Sequence, residues 1–283
     1  MRVLVHGGAG EPSDAPDDRQ EVLDRAALVG CEEHDPLTAA VRATQELEGA
    51  PQFNAGVGSA VQSDGRIRTD AGVMNSDGLT GAACSMEGVE YAASVANVVA
   101  TETPHILVAG ERAVALANAF NVPTEQDLWT DRTRERWEAL DPPPEATRNH
   151  LEWVREQFGG HDTVGAVATD GESVAAVTST GGRWCALAGR VGDVPQVGAG
   201  FYATDTAAAS TTGAGEAIAR FGLARQAAEA ASELHPQLAA DHAMCEFEAE
   251  TGAEAGVIVI DTDGRTGSEF NSEAMQTAVD EWD

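Results

Sequence analysis

Thr163 stands in His161-Asp162-Thr163-Val164-Gly165-Ala166-Val167-Ala168, where an Asp-Thr bond opens an apolar run. A threonine at such a strand start is ordinarily structural, since β-branched residues suit a pleated surface. If the preceding bond breaks, however, Thr163 becomes a chain terminus carrying both a hydroxyl nucleophile and an α-amine that can serve as its base. The reference pKa of that amine, about 7.7–8.0, suits a base working near neutrality. Downstream residues strengthen this chemical reading. They are Thr178-Ser179-Thr180-Gly181-Gly182, Gly189-Arg190-Val191-Gly192-Asp193 and Ser210-Thr211-Thr212-Gly213-Ala214-Gly215-Glu216. Arg190 offers a planar fork for a carboxylate and Asp193 an acceptor for an ammonium group, although at this spacing such a pair is also an ordinary surface ion pair. The small residues Gly213-Ala214-Gly215 let a backbone approach a ligand closely, and equally suit a turn before a helix.

With these motifs the chain resembles the N-terminal-nucleophile hydrolases of the plant-type (type 2) asparaginase and isoaspartyl peptidase family, relatives of the glycosylasparaginases. The resemblance also runs through His6-Gly7-Gly8-Ala9-Gly10, Phe53-Asn54-Ala55-Gly56-Val57-Gly58, Asp70-Ala71-Gly72-Val73-Met74, Thr103-Pro104-His105 and Phe270-Asn271-Ser272-Glu273-Ala274-Met275. Only residues 121–160 lack a recognisable counterpart. The resemblance implies one domain over 1–283, a four-layer αββα sandwich of the α+β class, and self-cleavage into an α chain, 1–162, and a β chain, 163–283.

The chemistry implied occurs twice. In the precursor the Thr163 hydroxyl attacks the Asp162 carbonyl, shifts the acyl group from nitrogen to oxygen, and water hydrolyses the ester. In turnover the same hydroxyl attacks the side-chain carbonyl of L-asparagine or a β-aspartyl peptide, and aspartate is released from the resulting ester. The resemblance assigns the Thr212 hydroxyl and the Gly213 N–H to the oxyanion, Arg190 to the substrate carboxylate, Asp193 to its ammonium, and Thr180 to the nucleophile's hydroxyl. Asn54 and Gly8 support the site. No catalytic cofactor is implied. A structural sodium ion is, held by the main-chain carbonyls of Leu47, Glu48, Ala50, Phe53, Ala55 and Val57. The expected partners are a small-molecule or short-peptide substrate and a second copy of the cleaved αβ unit.

One residue departs from the asparaginase pattern: many such members have glycine before the nucleophile, whereas Asp162 is the glycosylasparaginase-like choice. Glycosylasparagine hydrolysis therefore stays open, as does an uncleaved binding protein that keeps the fold. His161 adjoins the bond as an aid to processing or as a solvated loop residue. Gly198-Ala199-Gly200-Phe201-Tyr202-Ala203 matches a loose dinucleotide fingerprint but lacks the βαβ unit that would give it meaning. The histidines show no compact metal spacing.

Composition sets outer bounds. Of the 283 residues 42% are hydrophobic, enough for a substantial core. Forty-seven acidic residues face 17 basic ones, all arginine, for a formal net charge of −30. Self-repulsion on that scale is relieved at about 1 M salt, where the Debye length is about 3 Å, so the composition suggests a salt-rich cytoplasm. It also disfavours nucleic acid, which needs a basic footprint. No tract reaches the ~20 apolar residues of a membrane span, and no signal peptide is evident. Cys31, Cys84, Cys185 and Cys245 are widely spaced and read as reduced, mostly buried thiols.

These residues must be positioned by regular elements. The pattern predicts a strand over 1–5 ending in a turn at Gly7–Gly10, a loop over 11–19, and helices over 20–32 and from Pro36, the latter capped by Asp35. Strands follow near 57–63, 66–73 and 80–86, then helices over 89–100 and 105–120. Pro142-Pro143-Pro144 marks a linker flanked by short helices over 132–140 and 146–158. Beyond Thr163 come two strands joined at Asp170-Gly171, strands near 183–189 and 205–211, helices over 215–232 and 236–250, and a hairpin of 256–260 with 266–270. Strands, then helices, then strands in each half suggest two sheets covered by helix layers.

Overall fold

The computed structural model describes residues 1–145, 147–160 and 162–282; His161 and Ala146, the expected start of a helix, lie outside them. Two sheets lie face to face. The larger, in the order β11-β1-β5-β6-β2-β3-β4, comprises β1 (Arg2–Gly10), β2 (Arg68–Asn75), β3 (Thr80–Glu87), β4 (Leu107–Ala109), β5 (Val164–Thr169), β6 (Val174–Thr180) and β11 (Ala274–Glu281). The smaller, in the order β10-β9-β8-β7, comprises β7 (Phe201–Ala203), β8 (Ala207–Gly213), β9 (Ala255–Asp261) and β10 (Thr266–Phe270). β5, β6 and β8 are buried throughout, which explains their unbroken apolar and small-residue runs. Leu4, Val167, Val174, Ala176, Phe201, Ile258 and Ile260 fill the space between the sheets.

Helices cover the outer faces. α1 (Pro16–Cys31), α2 (Pro36–Glu48) and α3 (Ala92–Glu102) pack on the large sheet through Leu23, Leu37, Leu47, Val95 and Val99. α8 (Leu223–Ala231) and α9 (Pro236–Thr251) cover the small one through Leu223, Met244 and Phe247. α4 (Glu111–Ala119), α5 (Asp131–Glu138), α6 (Arg148–Gln157) and α7 (Gly215–Phe221) complete the set. This is the expected αββα sandwich.

Local chemistry sets several boundaries. Asp35 caps α2 by accepting from the Thr38 N–H at 3.0 Å, with Pro36 in the first turn. Gly222, at φ 75°, breaks the expected 215–232 helix into α7 and α8. Pro16 starts α1 inside the stretch expected to be loop. Gly7–Gly10 continues β1 through an irregularity between His6 and Ala9 rather than turning away from it, because β11 pairs on both sides of the irregularity. The 105–120 helix is replaced by β4, parallel to β3, and α4. Residues 57–63 and 183–189 form no strand; isolated bridges Val61↔Ile67 and Gly159↔Trp184 stand there instead.

Candidate active site

β5 and β6 are antiparallel neighbours with Val164 opposite Ser179, so Thr163 and Thr180 meet at the same end of the pair. Thr163 is 5% exposed, and its Oγ1 donates to Thr180 Oγ1 at 3.3 Å. Thr180 Oγ1 also accepts from the Gly182 N–H at 3.1 Å and donates to the Asp162 carbonyl at 3.2 Å. A second donor, Asn54 Nδ2, reaches the same carbonyl at 2.7 Å. The other hydrogen bond of that nitrogen, 2.6 Å, goes to the Gly182 carbonyl, while Asn54 Oδ1 accepts from the Ala60 N–H at 2.7 Å. The carbonyl that Thr163 would attack during self-cleavage thus already faces two donors, an arrangement able to stabilise developing negative charge.

β1 and β8 bring the other half of the site. Gly8, at φ 110°, lies against the Asp162 carboxylate, which a Cβ there would overlap. The next residue's N–H, that of Ala9, donates to Thr212 Oγ1 at 3.1 Å. The Thr212 hydroxyl is thereby tied to the glycine run of β1 that touches Asp162, although 49 positions separate it from Thr163 in sequence. Gly213 has φ 130°, and a Cβ there would lie 2.5 Å from the Glu254 carbonyl oxygen, so only glycine fits. Asp162 Oδ2 also lies 3.4 Å from Arg19 NH2, and the Arg19 guanidinium carbon sits 4.7 Å from the centre of the Phe53 ring.

His6 is fully buried. Its Nε2 lies 3.0 Å from Ser210 Oγ, which lies 2.6 Å from Thr178 Oγ1, which donates to the Gly200 carbonyl at 2.8 Å. Burial lowers the His6 pKa to about 3, with the Thr163 backbone opposing the shift. The ring is neutral and serves as part of this polar link between the sheets, not as a base near neutrality.

Arg190 and Asp193 occupy the loop before β7, but they do not satisfy one another. Arg190 Nε donates to Glu216 Oε1 at 2.8 Å, which leaves its end-on pair of nitrogens for another anion. Arg190 NH2 and Asp193 Oδ2 are both buried without a hydrogen-bond partner. Such atoms are costly unless a ligand meets them. A Cβ on Gly215 would come 2.5 Å from Asp193 Oδ1 and 2.9 Å from Arg190 NH2, so glycine keeps that space open. Burial raises Asp193 to about 6, against the pull of its own backbone N–H and of Arg190; Asp70, opposite Thr180 in β2, rises by burial to about 7. Phe158 lies over Arg183 and Arg190, with guanidinium-to-ring distances of 4.0 Å and 6.0 Å, and Arg183 Nε donates to the Gly160 carbonyl at 2.8 Å.

The loop after α2 folds back on itself at two glycines. A Cβ on Gly58 would lie 2.8 Å from the Pro51 oxygen and 2.9 Å from that of Phe53, while Gly56 is pressed against the Glu48 carbonyl. Carbonyls therefore crowd this loop, as a hard cation requires. The oxygens of Leu47, Glu48 and Ala50 already accept backbone N–H groups, which leaves each a second lone pair. Glu48 itself is buried; its Oε1 accepts from Ser179 Oγ at 2.6 Å and from the Ala93 N–H at 2.9 Å, and burial raises its pKa to about 8.

Arg19, Glu216, Asp70 and His6 received no part in the sequence reading. Glu216 closes the Ser210–Glu216 motif, Asp70 opens the Asp70–Met74 motif and His6 opens the Gly-rich motif, so their motifs were visible and their partners were not. Arg19 had no signal. One cavity, about 660 Å³, is lined by Arg66, Glu87, Glu111, Glu125 and their neighbours. Another, about 220 Å³, adjoins Asn54 and Asp162; Thr163, Thr180, Arg190, Asp193 and Thr212 line neither.

Comparison with known proteins agrees with this geometry. The family model described as Asparaginase matches residues 1–283. A plant-type L-asparaginase of Pyrococcus abyssi (strain GE5 / Orsay) is 37% identical over 299 residues, covering 98% of this chain and 95% of its own. An isoaspartyl peptidase/L-asparaginase of Xenopus laevis is 34% identical over 288 residues, covering 98% and 91%, and one of Bos taurus 34% over 296, covering 98% and 92%. The family match includes residues 121–160, for which the motifs alone had shown no counterpart.

Proposed function

The chain belongs to the asparaginase family, and from that premise we propose that it is an amidohydrolase that releases aspartate from L-asparagine and β-aspartyl peptides, with Thr163 as its nucleophile after self-cleavage. The observation that carries the reading is the pair of donors, Asn54 Nδ2 and Thr180 Oγ1, on the Asp162 carbonyl beside the Thr163 hydroxyl. Attack by that hydroxyl moves negative charge onto the carbonyl oxygen where those donors wait. The C–N bond breaks, the Thr163 nitrogen takes a proton, and water hydrolyses the Asp162 ester, leaving the free amine that turnover needs.

In turnover the amine accepts the hydroxyl proton, directly or through Thr180, as Thr163 attacks the substrate's side-chain carbonyl. The oxyanion is received by the Thr212 hydroxyl and the Gly213 N–H, each donor contributing about 2.7–4 kcal/mol in comparable sites. The free nitrogens of Arg190 hold the α-carboxylate and ionised Asp193 the α-ammonium. Expulsion of ammonia or a peptide amine leaves a β-aspartyl ester, which water cleaves. All of these groups are supplied by the chain. A sodium ion at the Leu47–Val57 loop would brace the backbone that presents Asn54.

The same reading, through the family resemblance, makes the active species a dimer of cleaved αβ units, and the acidic composition supports a salt-rich cytoplasm. Among the described residues no helix is long and apolar enough to cross a membrane. Glycosylasparagine remains a second substrate reading because of Asp162. Thr163→Ala tests the core claim: it is expected to yield one uncut chain on a denaturing gel and no aspartate from asparagine. A Thr163→Ala protein that still appears as two fragments, or still turns over substrate, removes Thr163 from both roles. An uncleaved wild-type protein that binds but never hydrolyses would leave the binding-protein reading instead.

A further inference from the structure

The 220 Å³ cavity beside the scissile bond reverses the charge of the chain around it. Arg19, Arg132 and Arg136 line it, together with Asn54, Asp162 and Trp184. In a protein of net charge −30, three arginines against the one carboxylate of Asp162 make the lining of this cavity locally basic. Arg132 and Arg136 lie one turn apart on α5, and among the described residues neither has a carboxylate within ion-pair distance. The Arg136 guanidinium stacks 4.0 Å from the Trp184 ring centre, and burial followed by the neighbouring Arg132 charge lowers its pKa, offset in part by Cys185 and Glu11.

The helix that carries these two arginines is fixed at both ends of its short span. Thr130 and Thr133 form a capping box at its start, and Trp137 packs edge-on to Trp153 at 6.4 Å. The uncleaved chain already places one carboxylate at this cavity, that of Asp162, within 3.4 Å of Arg19. Gly160, which also lines the cavity, receives a hydrogen bond from Arg183, whose NH1 lies 3.5 Å from Glu216, the partner of Arg190.

Building on the amidohydrolase reading, we infer that Arg19, Arg132 and Arg136 form a subsite for the free α-carboxylate of the residue that leaves a β-aspartyl dipeptide. The aspartyl α-groups take Arg190 and Asp193, the side-chain carbonyl meets Thr163, and the leaving residue extends past Asn54 into the cavity. A single residue spans about 3.3–3.6 Å, so its carboxylate lies within one residue of the reacting bond. Asn54 and Asp162 border both that bond and the cavity.

The test compares β-aspartyl-leucine, its C-terminal amide and L-asparagine as substrates for self-cleaved wild type and for Arg132→Gln/Arg136→Gln. Hydrogen bonds between charged groups of this kind correspond to about tenfold or more in binding. Wild type is expected to prefer the free dipeptide over its amide by that factor in kcat/KM, with the difference in KM. The double variant is expected to lose the preference while the amide and asparagine change less than twofold, and Arg132→Lys/Arg136→Lys is expected to keep it. Turnover of all three substrates without discrimination by wild type overturns the subsite alone. An equal change on all three in the Gln variant also overturns it, assigning the cavity to the α chain's own terminus or to the fold. Absence of turnover on every substrate overturns the amidohydrolase reading and the subsite with it.

Discussion

Asn54→Ala separates transition-state stabilisation from simple bracing of the loop. In the uncut chain the Asn54 amide nitrogen donates to the Asp162 carbonyl at 2.7 Å and to that of Gly182 at 2.6 Å. The first bond strengthens as the acyl shift puts charge on the oxygen; the second does not. Removing one oxyanion donor costs about 2.7–4 kcal/mol of barrier stabilisation, so self-cleavage is expected to slow by about 10²–10³-fold. It should not stop, because Thr180 Oγ1 still donates to the same oxygen at 3.2 Å. The substitution also orphans the Ala60 N–H and the Gly182 carbonyl, each lost neutral bond being worth about 1 kcal/mol of stability. Asn54→Asp distinguishes the two effects. It retains an acceptor for Ala60 but has no donor, so it should mature at least as slowly as Asn54→Ala. The assay is the appearance of the 163–283 fragment by intact mass after synthesis, alongside a thermal melt. Wild-type maturation in Asn54→Asp would mean that the side chain works through Oδ1, and the donor argument fails.

Three further outcomes are expected. Arg190→Lys should raise KM for asparagine by tenfold or more while maturation proceeds normally, since a point charge cannot reproduce two parallel bonds to a carboxylate and the precursor presents no free α-carboxylate; equal slowing of both steps would make Arg190 structural. Burial raises the folded pKa of Glu48 from its ordinary 4.5 to about 8, so its contribution to stability is fully present below about 4.5 and is lost as pH rises through about 8. Glu48→Gln, which can keep the Ser179 contact, should flatten the fall in melting temperature between pH 5 and 9, and an unchanged slope would refute the assignment. Dialysis from molar potassium chloride to about 0.1 M should inactivate the enzyme as the Debye length grows from about 3 Å to about 10 Å, with circular dichroism falling in parallel, whereas full activity in dilute buffer would dismiss salt adaptation.

The sequence carried the layers and singled out Thr163 as the candidate nucleophile because both have short-range signals. Thr163 heads an apolar run, Asp35-Pro36 starts a helix, and Asp170-Gly171 turns a hairpin. Where the reading failed, the deciding partner was remote. The Gly7–Gly10 run looks like a turn until β11, more than 260 residues later, pairs with it. Leu107–Ala109 reads as helix until β3 offers it a parallel edge. The broken 215–232 helix was legible in principle at Gly222, since a glycine within a helical pattern can be a left-handed cap.

The same distinction governs the site. Residue chemistry predicted that Arg190 and Asp193 would serve one ligand, but their spacing equally allowed them to neutralise each other. The ligand is favoured by Glu216, which takes Arg190 Nε, and by Gly215, which keeps a side chain out of the space between the unmet Arg190 NH2 and Asp193 Oδ2. A buried cation and a buried anion held close yet unsatisfied are costly to an empty protein. They suit a zwitterion, whose carboxylate and ammonium can meet both at once. An acyl substrate lacking either α-group would leave one of these atoms unmatched, and discrimination against it follows from that penalty without any steric gate.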